Sequence, residues 1–289
     1  MSISCTMVAF NCFHLDYPLE AAIRSALEVV DEVFVNEGNS FDETKDLLVS
    51  LQEEFGKDVV RFETRNWIHN RNWQQIERNY AIKQAACDWI LILDADEMIH
   101  ENDVSTIKTL TETPHLNFID FKVTHFYGLP KYVNTNPSWY SHHVRLGKKN
   151  TNYKFRNSPG GSCCDICSGK PLQPVHGRRA SDIAYSGIQL WHYGWVRDAR
   201  VMGIKTKKFN AWYSNDKKYF NGHLDEKVPF NYKMEKSMHF LREFKGTHPK
   251  HFYKWWFDKE RLLVYNPEDA TSLEEDHDPA KETVDRFNE

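Results

Sequence analysis

No stretch of this 289-residue chain approaches the roughly 20 consecutive apolar residues of a membrane-spanning helix. No basic leader introduces the start, "MSISCTMVAFNC", so no secretory signal and a cytoplasmic protein are expected. A dominant charge of one sign is missing too. The formal net charge is −4, which supplies no whole-chain reason to bind nucleic acid. The six cysteines form no spread-out disulfide framework, as befits a reducing compartment. Cys5, Cys12 and Cys87 are scattered, whereas Cys163, Cys164 and Cys167 cluster in "CCDIC". Cys164 and Cys167 have CxxC spacing and His176 follows, but a second CxxC pair is absent. The four-ligand pattern of a structural zinc is therefore incomplete, and incidental thiols in a loop are the other reading. No internal repeat and no strong linker divide the chain.

What is present is core material: 40% of residues are hydrophobic and nine are Trp. The first hundred residues alternate between two periods. "ISCTMVAF" (3–10), "EVFVNE" (32–37), "DVVRFET" (58–64) and "WILILD" (89–94) read as strands. Between them, Leu19, Ala22, Ile23, Ala26, Leu27 and Val30 keep the helical period behind Asp16 and Pro18. Ser40 and Glu43 have capping-box spacing before a helix carrying Leu47, Leu48, Leu51 and Phe55. Residues 72–86 form a third helical segment. Such alternation predicts a parallel, doubly wound α/β sheet with right-handed crossovers. In the common order 3-2-1-4, ligands bind at the carboxyl ends of strands one and four, where the winding reverses.

Past residue 100 the rhythm breaks. Residues 118–129 and 188–195 read as β, 157–174 as a loop, 197–213 as a basic helix and 232–244 as a last helix; the tail after about 268 is acidic. The expected organisation is a ligand-binding half over 1–100, a second half with a helical extension over 101–250, and a C-terminal segment over 251–289.

The greasiest strand ends in acids. Asp94, Asp96 and Glu97 leave "WILIL" at the predicted crevice. Two carboxylates at i and i+2 can face one Mg²⁺ or Mn²⁺ and the phosphates it carries; capping of the next turn is the plainer alternative. His192, late on the strand in "WHYGW", is either a third metal ligand or a histidine packed among aromatics. Arg200, Lys205 and Lys208 follow on the basic helix. Lys205 and Lys208 share a face, suited to a leaving diphosphate or simply to solvent. Trp139, Tyr140, Trp191 and Trp195 are core by default and sugar platforms by alternative.

"IERNYAIKQAACDWILILDADE" (76–97) resembles the signature region of family 2 glycosyltransferases with the GT-A fold. Arg78, Asn79, Asp88, Trp89, Asp94 and Asp96 fall on that pattern, with Cys87 where Gly is usual. "VFVNEGNSFDET" (33–44) is similar to the family's Val-Asp-Asp-Gly-Ser stretch, with Asn36 and Glu37 replacing the paired Asp. The start resembles the family's first strand. The resemblance implies a GT-A-like, mostly parallel sheet with helical C-terminal additions and a metal-dependent transfer from a nucleotide-sugar, with inversion. It implies that Phe10, Asn11 and Glu37 line the base pocket and that Asp94 approaches ribose or metal. Asp96 then binds the metal and Arg78 lies under the donor. The acceptor, whether glycan, lipid-linked or protein, is not named by it. The inverting base is sought among Asp165 and Asp182, since Gly177 stands in "VHGRR" where relatives often carry Glu. A sugar-phosphate nucleotidyltransferase of related fold is disfavoured, because "AFNCFHLDYP" has no Gly-rich phosphate loop; a non-catalytic carbohydrate- or nucleotide-binding protein is the other rival.

Overall fold

The computed structural model describes residues 1–67, 72–149, 183–214, 230–232 and 239–262. Its central strands are β1 (Ile3–Ala9), β2 (Glu32–Glu37), β3 (Val60–Thr64) and β4 (Trp89–Ile92). They lie parallel in the order β3-β2-β1-β4, the order expected. Every residue of β1, β2 and β4 is buried, because helices cover both faces. The crossovers are α1 (Leu19–Leu27), α2 (Thr44–Phe55) and α3 (Trp73–Gln84). Leu19, Ala22, Ile23 and Ala26 of α1 and Leu48 and Leu51 of α2 join the main core with Cys5, Met7, Val33, Val35 and Trp89.

Beyond β4 the sheet changes sense. β5 (Glu97–Ile99) and α4 (Val104–Thr111) precede β6 (Phe118–Tyr127), β7 (Leu129–Asn134) and β8 (His142–Lys148). β8 inserts antiparallel between β4 and β6. The thirteen-residue β9 (Ile183–Trp195) runs parallel to β6 and antiparallel to β5. The basic helix is α5 (Ala199–Ser214), and α6 (Lys250–Leu262) packs on α1. Its Lys250 and His251 meet Glu28, and Lys254 meets Glu20.

Two local expectations are corrected. The last helix expected over 232–244 does not hold at its described end: Leu241–Glu243 is a short strand, β10, antiparallel to β7. The vacant hydrogen bonds of the β7 edge outweigh a helical period there. The capping box also does not form. The residue before α2 is Glu43, with no side-chain cap, while Ser40 turns back to accept the amide of Asn11. Asp42 instead accepts the Thr44 amide, an Asx turn that starts the helix.

Candidate active site

Three chain ends meet at the carboxyl edge of β1, β2 and β4. Ala9 is in register with Glu37 across the β1–β2 ladder, and β1 also pairs with β4. Asn11, one residue past Phe10 in the turn after β1, takes a left-handed φ of 49°. Its side-chain oxygen accepts the Phe41 amide, and its own amide donates to Ser40 Oγ. Loop 38–41 is thereby strapped to the end of β1. Glu37 is fully buried: Oε1 accepts the Ser40 amide at 2.6 Å, while Oε2 has no hydrogen-bond partner among the described residues. An unmet buried acceptor costs about 1–3 kcal/mol, so Oε2 is an acceptor awaiting a donor.

An aromatic wall flanks this carboxylate. Phe10 lies 5.7 Å from Trp67, which stacks on Trp73 at 5.4 Å. Trp67 Nε1 donates to Asn36, and Asn36 donates to Glu77 on α3. The asparagine in place of an acid thus cross-links β2, the end of β3 and α3. Gly38 has to be glycine here, since a Cβ would sit 2.8 Å from Trp67 and 2.9 Å from Phe10.

The acids after β4 diverge, because the turn 94–97 points successive side chains apart. Asp94 is held by Arg78 from α3 and, at 3.3 Å, by Arg145 from β8. Burial alone would raise the Asp94 carboxyl, but the Arg78 and Arg145 charges outweigh it and lower it. Glu97 turns inward, accepting from Arg145 and from the Asp94 amide. Burial dominates there and pushes its carboxyl up to about 8.

Asp96 faces a different set. Its Oδ2 accepts from Arg197 Nη2 and Lys205 Nζ, each at 3.2 Å. Burial opposes ionisation of Asp96, yet the Lys205 charge foremost, with Arg197, holds it well below the usual carboxylate range. Burial, reinforced by Arg197, lowers Lys205 to about 7. Both cations lie over the Tyr17 ring, at 4.3 and 4.9 Å. Arg197 also donates to the carbonyls of Leu15 and Gly194, which ties the turn after β9 to the loop after β1.

β9 carries His192 to this cluster. The β5–β9 ladder sets Glu97 opposite His192, and the Tyr193 amide donates to the Asp96 carbonyl. His192 Nε2 then lies 3.8 Å from Asp96 Oδ1. No group of three His, Cys, Asp or Glu side chains among the described residues gathers as a metal cluster; the pair that faces across a gap is Asp96 and His192. The gap is kept by Gly194, where a Cβ would fall 2.3 Å from His192 Nε2 and 3.1 Å from Asp96 Oδ2. A carboxylate oxygen facing an imidazole nitrogen across a space only glycine leaves open fits a divalent cation. Asp94 has an arginine on each oxygen, Arg78 on Oδ1 and Arg145 on Oδ2.

The remaining expected residues are placed as follows. Lys208 is buried beside Phe41, its Nζ 5.8 Å from that ring, while Phe41 itself is 72% exposed. Arg200 turns away to pair with Asp198. Trp191 is core, packed on Phe126 and Phe244. Trp139 and Trp195 pack together with Tyr127, and Tyr140 packs on His125. Asp165, Asp182 and the Cys163, Cys164 and Cys167 cluster with His176 lie outside the described residues. Arg145, Arg197, Trp67 and His125 escaped the sequence reading. Only Arg197 had a usable signal, a cation directly after the strand that carries His192.

The profile of glycosyl transferase family 2 matches residues 4–169. An uncharacterized glycosyltransferase of Mycoplasma pneumoniae, the MG060 homolog, is 26% identical over 158 residues, which are 52% of this chain and 50% of the relative. The chain thus spans about half the length of the curated relative it matches. Among solved structures, the mannosyltransferase PcManGT from Pyrobaculum calidifontis, in complex with GDP-Man and Mn²⁺, is 12% identical. Its TM-score is 0.46, over 99% of this chain and 79% of that one. TarS 1-349 of S. aureus is 13% identical with a TM-score of 0.42, over 76% and 73%. The family profile covers more than half of the sequence, including β1 from Ser4, the Asn36–Glu37 end of β2 and the Asp94–Glu97 acids, and on that ground the chain belongs to glycosyl transferase family 2.

Proposed function

We propose that this protein transfers a sugar from a nucleotide-sugar donor to an acceptor hydroxyl, with inversion. One juxtaposition carries the reading. A buried carboxylate oxygen without a partner among the described residues (Glu37 Oε2) and a buried cation pair (Arg197 and Lys205) open on the same edge of the sheet. The first suits the base of a nucleotide and the second its diphosphate.

Glu37 accepts an N–H from the base, which is a ring N–H in uracil or guanine and an exocyclic amine in adenine or cytosine. Phe10 and Trp67 supply the apolar wall beside that base. Asn11 holds loop 38–41 in place around it. Arg197 and Lys205 stabilise the negative charge that grows on the diphosphate as the glycosidic bond breaks. Arg78 and Arg145 fix Asp94 at the rim of the pocket, and Lys208 adds charge beside Phe41. Asp96 and His192 are the residues that would hold Mn²⁺ or Mg²⁺. Such an ion would add Lewis-acid neutralisation of the departing phosphates. The attacking hydroxyl still needs a general base, for which Asp165 and Asp182 stand as the candidates.

The direct test is release of nucleoside diphosphate from a panel of UDP- and GDP-sugars, with and without Mn²⁺, in the presence of mixed acceptors. Turnover of one base class, stimulated by the metal, is the expected result. Binding without turnover by any donor would favour a non-catalytic binding protein instead. Gly194→Ala is expected to push the His192 ring aside and cut that turnover on the order of 10²-fold, because displacements near 1 Å in a reacting centre cost that much. Melting curves run alongside check that the fold survives; full turnover by this variant would remove the Asp96–His192 gap from the mechanism. No helix of the described residues is long and apolar enough to cross a membrane.

A further inference from the structure

His125 is 3% exposed and sits on β6 directly in register with His192 on β9. Its Nε2 lies 2.7 Å from the Tyr140 carbonyl oxygen, and its Nδ1 lies 2.8 Å from His192 Nδ1. A carbonyl oxygen can only accept, so His125 Nε2 carries a hydrogen. His125 is ringed by Trp139, Tyr140 and His192, and no carboxylate is among its hydrogen-bond partners in the described residues, so a second hydrogen and its charge would be buried uncompensated and the ring has just that one N–H. Its Nδ1 is therefore an acceptor, and the hydrogen between the two rings belongs to His192 Nδ1. His192 is buried too, and the carboxylate facing it, Asp96, already pairs with Arg197 and Lys205, so nothing compensates a second hydrogen on this imidazole and its single hydrogen is now assigned. What remains on His192 Nε2 is a bare lone pair, with Asp96 Oδ1 3.8 Å from that nitrogen. The hydrogen on one ring nitrogen decides which chemistry the other can perform.

We propose that His125 is a positioning residue. It locks His192 in the Nδ1–H tautomer and so presents His192 Nε2 as a lone-pair ligand toward the divalent cation shared with Asp96. The inference rests on the metal reading of the site given above. The chain of bonds runs from the Tyr140 carbonyl through His125 to His192, and every donor in it has one acceptor. Without the Tyr140 contact His125 could adopt either tautomer, and His192 would be free to place its hydrogen on Nε2, facing the metal space. Asp96 would then accept that hydrogen, closing the gap with an ordinary hydrogen bond instead of a cation.

The test uses the full chain with ¹⁵N-labelled histidine. Long-range ¹H–¹⁵N correlations of the metal-free protein report which nitrogen of each ring is protonated. The expected pattern is Nε2–H for His125 and Nδ1–H for His192. Mn²⁺ affinity is then measured by electron paramagnetic resonance, with UDP and GDP present, for wild type, His125→Phe and His125→Gln. His125→Phe removes the acceptor and is expected to weaken Mn²⁺ binding about 10–100-fold, the usual cost of losing such an outer partner. His125→Gln keeps a side-chain oxygen in reach of His192 Nδ1 and is expected to recover most of that loss. Melting curves and the His192 spectrum separate this from simple unfolding. An Nε2–H on His192 in the wild type overturns the proposal, as does unchanged Mn²⁺ affinity in folded His125→Phe. If the wild type shows the expected tautomers yet binds no Mn²⁺, the metal reading fails and the ligand role proposed for His192 falls with it. If Mn²⁺ binds tightly while His192 carries Nε2–H, the relay alone is refuted.

Discussion

Asp96→Asn is expected to reduce donor turnover on the order of 10²-fold or more, because it removes the one charge that aligns both diphosphate cations. The carboxylate is buried, and its Oδ2 is shared by Arg197 and Lys205. Asparagine keeps the shape but leaves two buried cations without their counter-charge. The two respond differently. Lys205, already lowered to about 7, can shed its proton; Arg197 cannot. Arg197 keeps its bonds to the Leu15 and Gly194 carbonyls, which hold its position without neutralising it. Removing one partner of a buried ion pair costs about 3–5 kcal/mol, and loss of the Lys205 proton places the variant toward the lower end. Denaturant unfolding and nucleoside diphosphate release, measured on the same preparation, give the two effects separately. Near wild-type turnover in a folded Asp96→Asn protein would refute the central role given to this residue.

Glu37→Gln carries the second large effect. A hydrogen bond from a base N–H to a buried carboxylate contributes about 1.5–3 kcal/mol, so nucleoside diphosphate affinity should fall about 10–100-fold. The amide cannot serve both needs. If its oxygen keeps the Ser40 amide, its NH₂ turns toward the base and opposes another N–H. The loss should be the same for the free nucleoside diphosphate and for its sugar conjugates, since Glu37 is at the base end. Calorimetry with UDP and GDP, repeated with their sugar conjugates, reads this. A change in sugar preference at constant nucleoside diphosphate affinity would place Glu37 elsewhere in the site.

The amino-terminal half was legible because its information is local. Each crossover joins neighbouring segments, and right-handed βαβ connections leave little choice of order. Leu19, Ala22, Ile23 and Ala26 mark α1 by period alone, and the unbroken run of β4 marks a strand buried on both faces. Position followed from topology: once β1 and β4 are neighbours, Asn11, Glu37, Asp94 and Asp96 have to emerge along one edge. β8 was not legible. "HHVRLGK" buries five of its seven residues, yet Arg145 and His143 are among them, so no alternation of apolar and polar residues reveals the strand.

The sequence alone thus determined a family 2 α/β sheet and the edge on which its acids stand. The tertiary structure decided what each acid is for. Asp94 and Asp96 are two residues apart, yet one is claimed by Arg78 and Arg145 and the other by Arg197, Lys205 and the facing His192. Those partners come from α3, β8, β9 and α5 and the turn between the last two, between 16 and 109 residues from the acid they meet. Spacing along a chain sets only which way a side chain leaves its own backbone. The charge it meets is set by strand register and by burial, which raises the cost of an unpaired charge until each acid is matched to the cation the fold brings nearest.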